Sequence, residues 1–180
     1  MFVVCGEALF DVFGGDPTPN GQQLDARIGG SPLNVAIGLA RLAHPVAFFG
    51  ALSTGIMGQR LLRALHDEGV DTQAVARLDA PTTLGLVGLD AAGVASYAFY
   101  GHGCADRRLP LDALAAVPAA ARAFHFGSYA MVVEPVAATQ RALVKREHGR
   151  SLIAYDPNIH CSVSRRRPMS GSTLRRMFGS

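Results

Sequence analysis

The sequence predicts an α/β fold, a parallel sheet covered by helices on both faces with a β-hairpin set outside it. Three observations carry the prediction. Apolar runs of strand length alternate with stretches of helical periodicity, the pattern of right-handed strand–helix–strand crossovers. Two β-prone stretches around Asp90-Ala91-Ala92-Gly93 interrupt that alternation. With 180 residues, 49% hydrophobic and 17% charged, the chain is long and apolar enough to bury a substantial core.

Taken in order, Phe2 to Cys5 is an apolar run that ends at Gly6 and suits a central strand. The polar, glycine-rich text from there to Gly30 reads as loops or short strands. Ser31 as a cap, Pro32 at the first helical position, and Leu33, Ala36, Ile37 and Ala40 at helical spacing predict a helix over about 32–43. Pro45 to Leu52 reads as a buried strand, and Met57, Leu61 and Leu65 mark a helix that Gly69 ends in a left-handed cap. TTLGLVGL and VASYAFY, between Thr82 and Tyr100, are the hairpin strands. After an alanine-rich segment come a short strand at Phe124–Phe126, a helix from Pro135 to His148 closed by Gly149, and a strand at Leu152–Tyr155.

Composition narrows the function classes. The net charge of +3 comes entirely from the end of the chain, where Arg165, Arg166, Arg167, Arg175 and Arg176 stand with no acid among them. No aromatic residue is interleaved with these arginines, so a nucleic-acid arm is not expected. Leu42 to Gln59 is the longest stretch without a charged residue, but His44, Pro45 and three glycines break it, so no membrane span is expected. The amino terminus meets Glu7 and Asp11 with no basic start, which reads as a cytoplasmic protein without a secretory signal. Cys5, Cys104 and Cys161 are odd in number and far apart, and the histidines show no metal-ligand spacing, so neither a disulfide framework nor a metal site is expected.

Ligands of such sheets bind beyond the carboxyl ends of the strands. Glu7 and Asp11 follow the first strand, Gly29-Gly30-Ser31-Pro32-Leu33-Asn34 opens the first helix, and Asp156-Pro157-Asn158 follows the last strand. Paired glycines let a backbone approach a ligand closely, an amide at Asn34 donates and accepts, and a carboxylate at Asp11 accepts two hydroxyl hydrogens. This set of groups suits a polyol. On the residues alone, a tight turn, a surface asparagine and a loop acid are the favoured reading of the same text.

GGSPLNVAIGLARLAHPVAFFGALSTGIMG, together with GEALFD, RLLRALHDEGVDT, YAFYGHGCADR, FHFGSYAMVVEP and YDPN, resembles the ribokinase-like (PfkB-type) carbohydrate kinases, bacterial fructokinases in particular, over residues 1 to about 159. The resemblance implies a Rossmann-like, ribokinase-like α/β/α layered sheet with a small β lid at about 12–28 and 82–101. It also implies ATP- and magnesium-dependent phosphorylation of a sugar hydroxyl. It makes Asp11, Gly29, Gly30 and Asn34 the sugar-binding positions, Phe99 a packing contact for the sugar, and Asn158 a phosphate-side residue. The partner is expected to be a fructose-like sugar, with the lid as the surface for a homodimer. Ala43 and Gly55 stand where the family commonly has glycine and aspartate, and His160 where it has an arginine. No Gly-x-Gly-Asp and no GxxxxGK occurs, and Lys145 is the only lysine.

The family's anion hole and catalytic aspartate therefore have no counterpart in this sequence, so no catalytic residue is assigned and no ATP or magnesium site is expected. From residue 160 the text turns rich in serine and arginine and loses its apolar periodicity. We expect 1–159 to be the amino-terminal part of a kinase domain, truncated, and 160–180 to be foreign to the fold through a frame change or gene interruption. The chain would then be catalytically incompetent alone and prone to self-association, because a shortened sheet leaves edges and apolar faces uncovered. The alternative is a non-catalytic sugar-binding or interaction protein derived from such a kinase.

Overall fold

A computed structural model describes residues 1–89 and 95–158. In chain order the elements are β1 (Phe2–Cys5), β2 (Leu9–Thr18), β3 (Gly21–Gly29), α1 (Ser31–Arg41), β4 (Val46–Ser53), α2 (Ile56–Asp67), β5 (Val75–Leu78), β6 (Leu84–Leu89), β7 (Ala95–Tyr100), β8 (Ala123–Gly127), α3 (Val136–Glu147) and β9 (Leu152–Asp156). The turn of the hairpin and the segment 160–180 lie outside the described residues.

The main sheet runs β5-β4-β1-β8-β9 with every pairing parallel. Its two faces are packed by different helices, and neighbouring residues of a strand serve opposite faces. Val3, Phe49, Phe124 and Phe126 join Met131, Val136 and Leu143 on the α3 side. Val4, Phe48 and Leu52 join Leu33, Ala36, Leu61 and Leu65 on the side of α1 and α2. The four phenylalanines are fully buried, each worth about 2–3 kcal/mol relative to exposure. Gly69, at φ 77°, closes α2 with Gly69 N donating to His66 O and Val70 N to Leu65 O, the cap its sequence predicts.

A second sheet, ordered β3-β2-β6-β7, stands beside the first. Here β2 pairs antiparallel with β3 and parallel with β6, and β6 pairs antiparallel with β7. Phe10, Val12, Ile28, Leu84 and Leu86 pack into the α1–α2 side of the core, so one face of this lid is anchored at its base. The rest projects: from Phe13 to Leu24 every residue is exposed.

Several elements differ from the reading of the sequence. The stretch expected as loops or short strands forms β2 and β3, of 10 and 9 residues. Strands lying mostly in solvent, with Gly14 and Gly15 inside one of them, carry no apolar alternation to reveal them. The half-buried β5, VARL, edges the main sheet, and the alanine-rich segment forms short 3-10 turns at Ala105–Arg107 and Leu111–Ala116. Helix α1 ends at Arg41, and Ala43 takes the left-handed conformation, φ 59°.

Candidate functional site

The carboxyl ends of β1 and β8 meet the start of α1 with almost no space between them. A Cβ at Gly6 would collide with Pro32, and one at Gly127 would lie 2.7 Å from Pro32 Cγ. Pro32 is thereby wedged between two strand ends, which fixes where α1 begins. Gly30 sits at φ 109°, where a Cβ would come 2.9 Å from the Glu7 carbonyl oxygen, so this position admits glycine alone. The chain thus turns out of β3 directly over the exit of β1, as a close-approach loop requires.

Above that exit, each strand of the lid contributes one residue to a single face. Asp11 of β2 is in register with Gly85 of β6, which is in register with Phe99 of β7, and Gly29 ends β3 beside them. The Asp11 carboxylate lies flat over both glycines: a Cβ at Gly29 would collide with Oδ2, and one at Gly85 would sit 3.2 Å from Oδ1 and 3.1 Å from Phe99 Cε1. Partial burial raises the Asp11 pKa above its ordinary value. Phe99, 37% exposed, stacks on Tyr97 with ring centroids 6.0 Å apart, and further out Arg27 lies over the Phe13 ring. A half-desolvated carboxylate beside an exposed aromatic ring offers acceptors for hydroxyl hydrogens and an apolar surface for C–H groups.

The floor beneath this face is a buried polar cluster. Thr83, two residues before Gly85, donates its hydroxyl to Asp106 Oδ1 at 2.5 Å, and Tyr129 donates to Oδ2 at 2.7 Å. Asp106 therefore ties the lid to the end of β8. Burial raises its pKa, while these two hydrogen bonds pull it back down. Glu7, 2% exposed, is pushed up to about 8 by burial, against the lowering effect of hydrogen bonds from its own backbone and Ser128. It is mostly protonated at neutral pH. The Arg107 guanidinium lies over the Tyr129 ring, 4.9 Å from its centroid, and close against Gly101.

Asp11, Gly29 and Phe99 thus gather on one face of the lid, with Gly30 at its foot against the Glu7 backbone. Asn34 is exposed in the first turn of α1, where its N–H donates to Gly30 O. Its side chain makes no hydrogen bond to Asp11; the residue borders a cleft of about 360 Å³ between α1 and α2, lined also by Ile28, Arg60, Arg63 and Glu68. Asn158 follows β9 at φ 44°, exposed, with its N–H donating to Asp156 Oδ1 at 3.0 Å. His160 lies outside the described residues. Thr83, Gly85, Asp106, Arg107 and Tyr129 were not singled out by their sequence. The glycine inside the TTLGLVGL strand and the Asp106-Arg107-Arg108 charge cluster that follows the second hairpin strand were the available signals. Among the described residues no three His, Cys, Asp or Glu side chains converge as a metal site, and no helix is long and apolar enough to cross a membrane.

Comparison with known proteins gives this arrangement a context. The fructokinase of Rhizobium leguminosarum bv. trifolii is 34% identical over 177 residues, 98% of this chain and 54% of that protein. Fructokinase-1 of Zea mays is 37% identical over 134 residues, 73% of this chain and 42% of that protein. Among solved structures, a fructokinase from Xylella fastidiosa superposes with a TM-score of 0.81 at 27% identity, covering 98% of this chain and 55% of that one. The same enzyme has been solved with bound ATP. A fructokinase from Vibrio cholerae O395 solved with fructose, ADP and calcium superposes at 0.72 with 25% identity, covering 88% and 50%. The chain spans about half the length of these relatives. The pfkB family carbohydrate kinase pattern matches residues 1–167, past the change of composition near 160, and the chain belongs to that family.

Proposed function

We propose that this chain binds a fructose-like sugar in the crevice between the lid and the carboxyl ends of β1 and β8. Asp11 accepts hydroxyl hydrogens, Gly29, Gly30 and Gly85 let the ligand approach the backbone, and Phe99 packs against the sugar. The observation that carries this reading is the seating of Asp11 over Gly29 and Gly85, where any side chain would fill the space its carboxylate uses. ATP-dependent phosphorylation of the bound hydroxyl is the reaction the family resemblance supports. The sequence lacks a Gly-x-Gly-Asp segment, so the 180-residue chain by itself binds sugar without transferring phosphate. Asn34 and Asn158 complete the sugar and phosphate sides only if the ligand draws them in. Residues 1–159 form the binding unit, and 160–180 add nothing to affinity.

Titration calorimetry of the chain with fructose, alongside an assay for ADP release in ATP and magnesium, tests this. Binding without ADP release, retained when 160–180 are deleted, is expected; no binding overturns the sugar reading, and ADP release overturns the incompetence of the chain. Leu24 and Tyr100, 60% and 62% exposed on outer lid strands, support homodimerisation through the lid. Sedimentation should then show a dimer that Leu24→Lys weakens, whereas a monomer at all concentrations removes that proposal.

A further inference from the structure

Arg107 is held in an unusual state of incomplete pairing. Its guanidinium is held close to two surfaces, the Tyr129 ring, whose centroid is 4.9 Å from Cζ, and Gly101, where a Cβ would come 2.5 Å from Nη2 and 2.6 Å from Cζ. Such packing fixes the plane of the group and leaves its N–H edge as the part free to act. Yet among the described residues the guanidinium makes no hydrogen bond, and its Nε is buried without a partner. The nearest charge, Asp106 Oδ2, is 4.0 Å away, and both Asp106 oxygens already accept from Thr83 and Tyr129. Glu7 beside it is mostly protonated at neutral pH, with its Oε2 also buried and unpartnered. A buried guanidinium nitrogen left without an acceptor is costly, and the exposed part of the side chain makes no hydrogen bond within the described residues either.

The position fits the crevice. Gly101 lies two residues past Phe99, roughly 7 Å along the strand direction, and the side chain of Arg107 remains 24% exposed. Thr83 and Gly85 bring the floor and the Asp11 face onto one strand.

We propose that Arg107 is a substrate-binding residue that donates from the floor of the crevice to sugar oxygens, opposite the hydroxyls that Asp11 accepts from the lid. This rests on the crevice being the sugar site. The test is fructose affinity of the 180-residue chain by calorimetry, with the melting temperature of each sugar-free variant recorded alongside. Arg107→Gln should bind fructose at least about tenfold more weakly, the loss expected for a hydrogen bond to a charged group, and Arg107→Lys should fall between. Gly101→Ala, which crowds the guanidinium out of its place while leaving Arg107 present, should weaken binding in the same direction. If Arg107→Gln folds and binds fructose as tightly as the parent, the proposal is overturned. If that variant does not fold, undiminished affinity in Gly101→Ala overturns it instead. Absence of fructose binding by the parent chain would overturn the sugar reading itself, a different failure from parent binding that ignores Arg107.

Discussion

The two sheets of this molecule are built to different ends. Strand β4 of the main sheet is buried at all eight positions, while β2 of the lid is buried at its first two residues and at Val12 and exposed over its last six. The central strands of the main sheet have helices on both faces, so their side chains are committed to packing, whereas β9 at its edge leaves Leu152, Ala154 and Asp156 exposed. The lid is anchored by one face at its base, which leaves Asp11, Gly85 and Phe99 on the other face free for a ligand. Stability and recognition are thereby separated: a substitution in the main sheet should unfold the chain, and one on the open face of the lid should cost binding alone.

The largest effect that would sharpen this contrast is in the main sheet. Phe49→Ala empties a fully buried site and should cost about 3–5 kcal/mol in chemical denaturation; a loss below about 1 kcal/mol would mean that the sheet is not packed on both faces. On the lid, Asp11→Ala should leave the denaturation midpoint nearly unchanged and weaken fructose binding by about tenfold or more, since it removes a charged acceptor that rests on two glycines and fills no part of the apolar core. If it unfolds the chain, the separation fails.

Between the two lies Glu7, buried at the junction. Its carboxyl is pushed from an ordinary 4.5 up to about 8 when folded, so the folded state keeps a proton that the unfolded state has released. Stability is then greatest below 4.5, falls as pH rises toward about 8, and levels off beyond it, with a slope on the order of 1 kcal/mol per pH unit from this residue. Glu7→Gln should flatten that fall in denaturation curves taken across the range; an unchanged slope would show that Glu7 is ionised in the folded protein. The smallest expected change concerns a helix end. Ala43 holds φ 59° with Ala43 N donating to Ala40 O and His44 N to Leu39 O, the same cap that Gly69 makes after α2. Ala43→Gly should stabilise by about 1 kcal/mol, read as a raised midpoint.

The same division decides what was legible in the sequence. FVVC, PVAFFGAL and the glycine ends of α2 and α3 announced themselves because burial on both faces and left-handed caps leave strong local marks, whereas Ser31 begins α1 as a helical residue, with Gly30 at the N-cap and no side-chain cap. Ala43 stood out as a departure from the family pattern before its conformation was known. Strands β2 and β3 did not, because residues that face solvent obey no apolar period. Asp11, Gly29, Gly30 and Phe99 were found through family resemblance, and three of the four meet on the lid face with Gly30 at its foot. The floor, Thr83, Asp106, Arg107 and Tyr129, comes from three distant stretches of chain, and only the fold brings them together. Asn34 was expected beside Asp11, yet it borders the α1–α2 cleft.

That last placement makes one measurement decisive for where the sugar sits. Backbone amide shifts of the isotopically labelled chain, followed by NMR during titration with fructose, should move for Asp11, Gly29, Gly30, Gly85, Phe99 and Arg107 and stay still for Arg60, Arg63 and Glu68. Shifts confined to the residues around Asn34 and the α1–α2 cleft would contradict a sugar site beneath the lid.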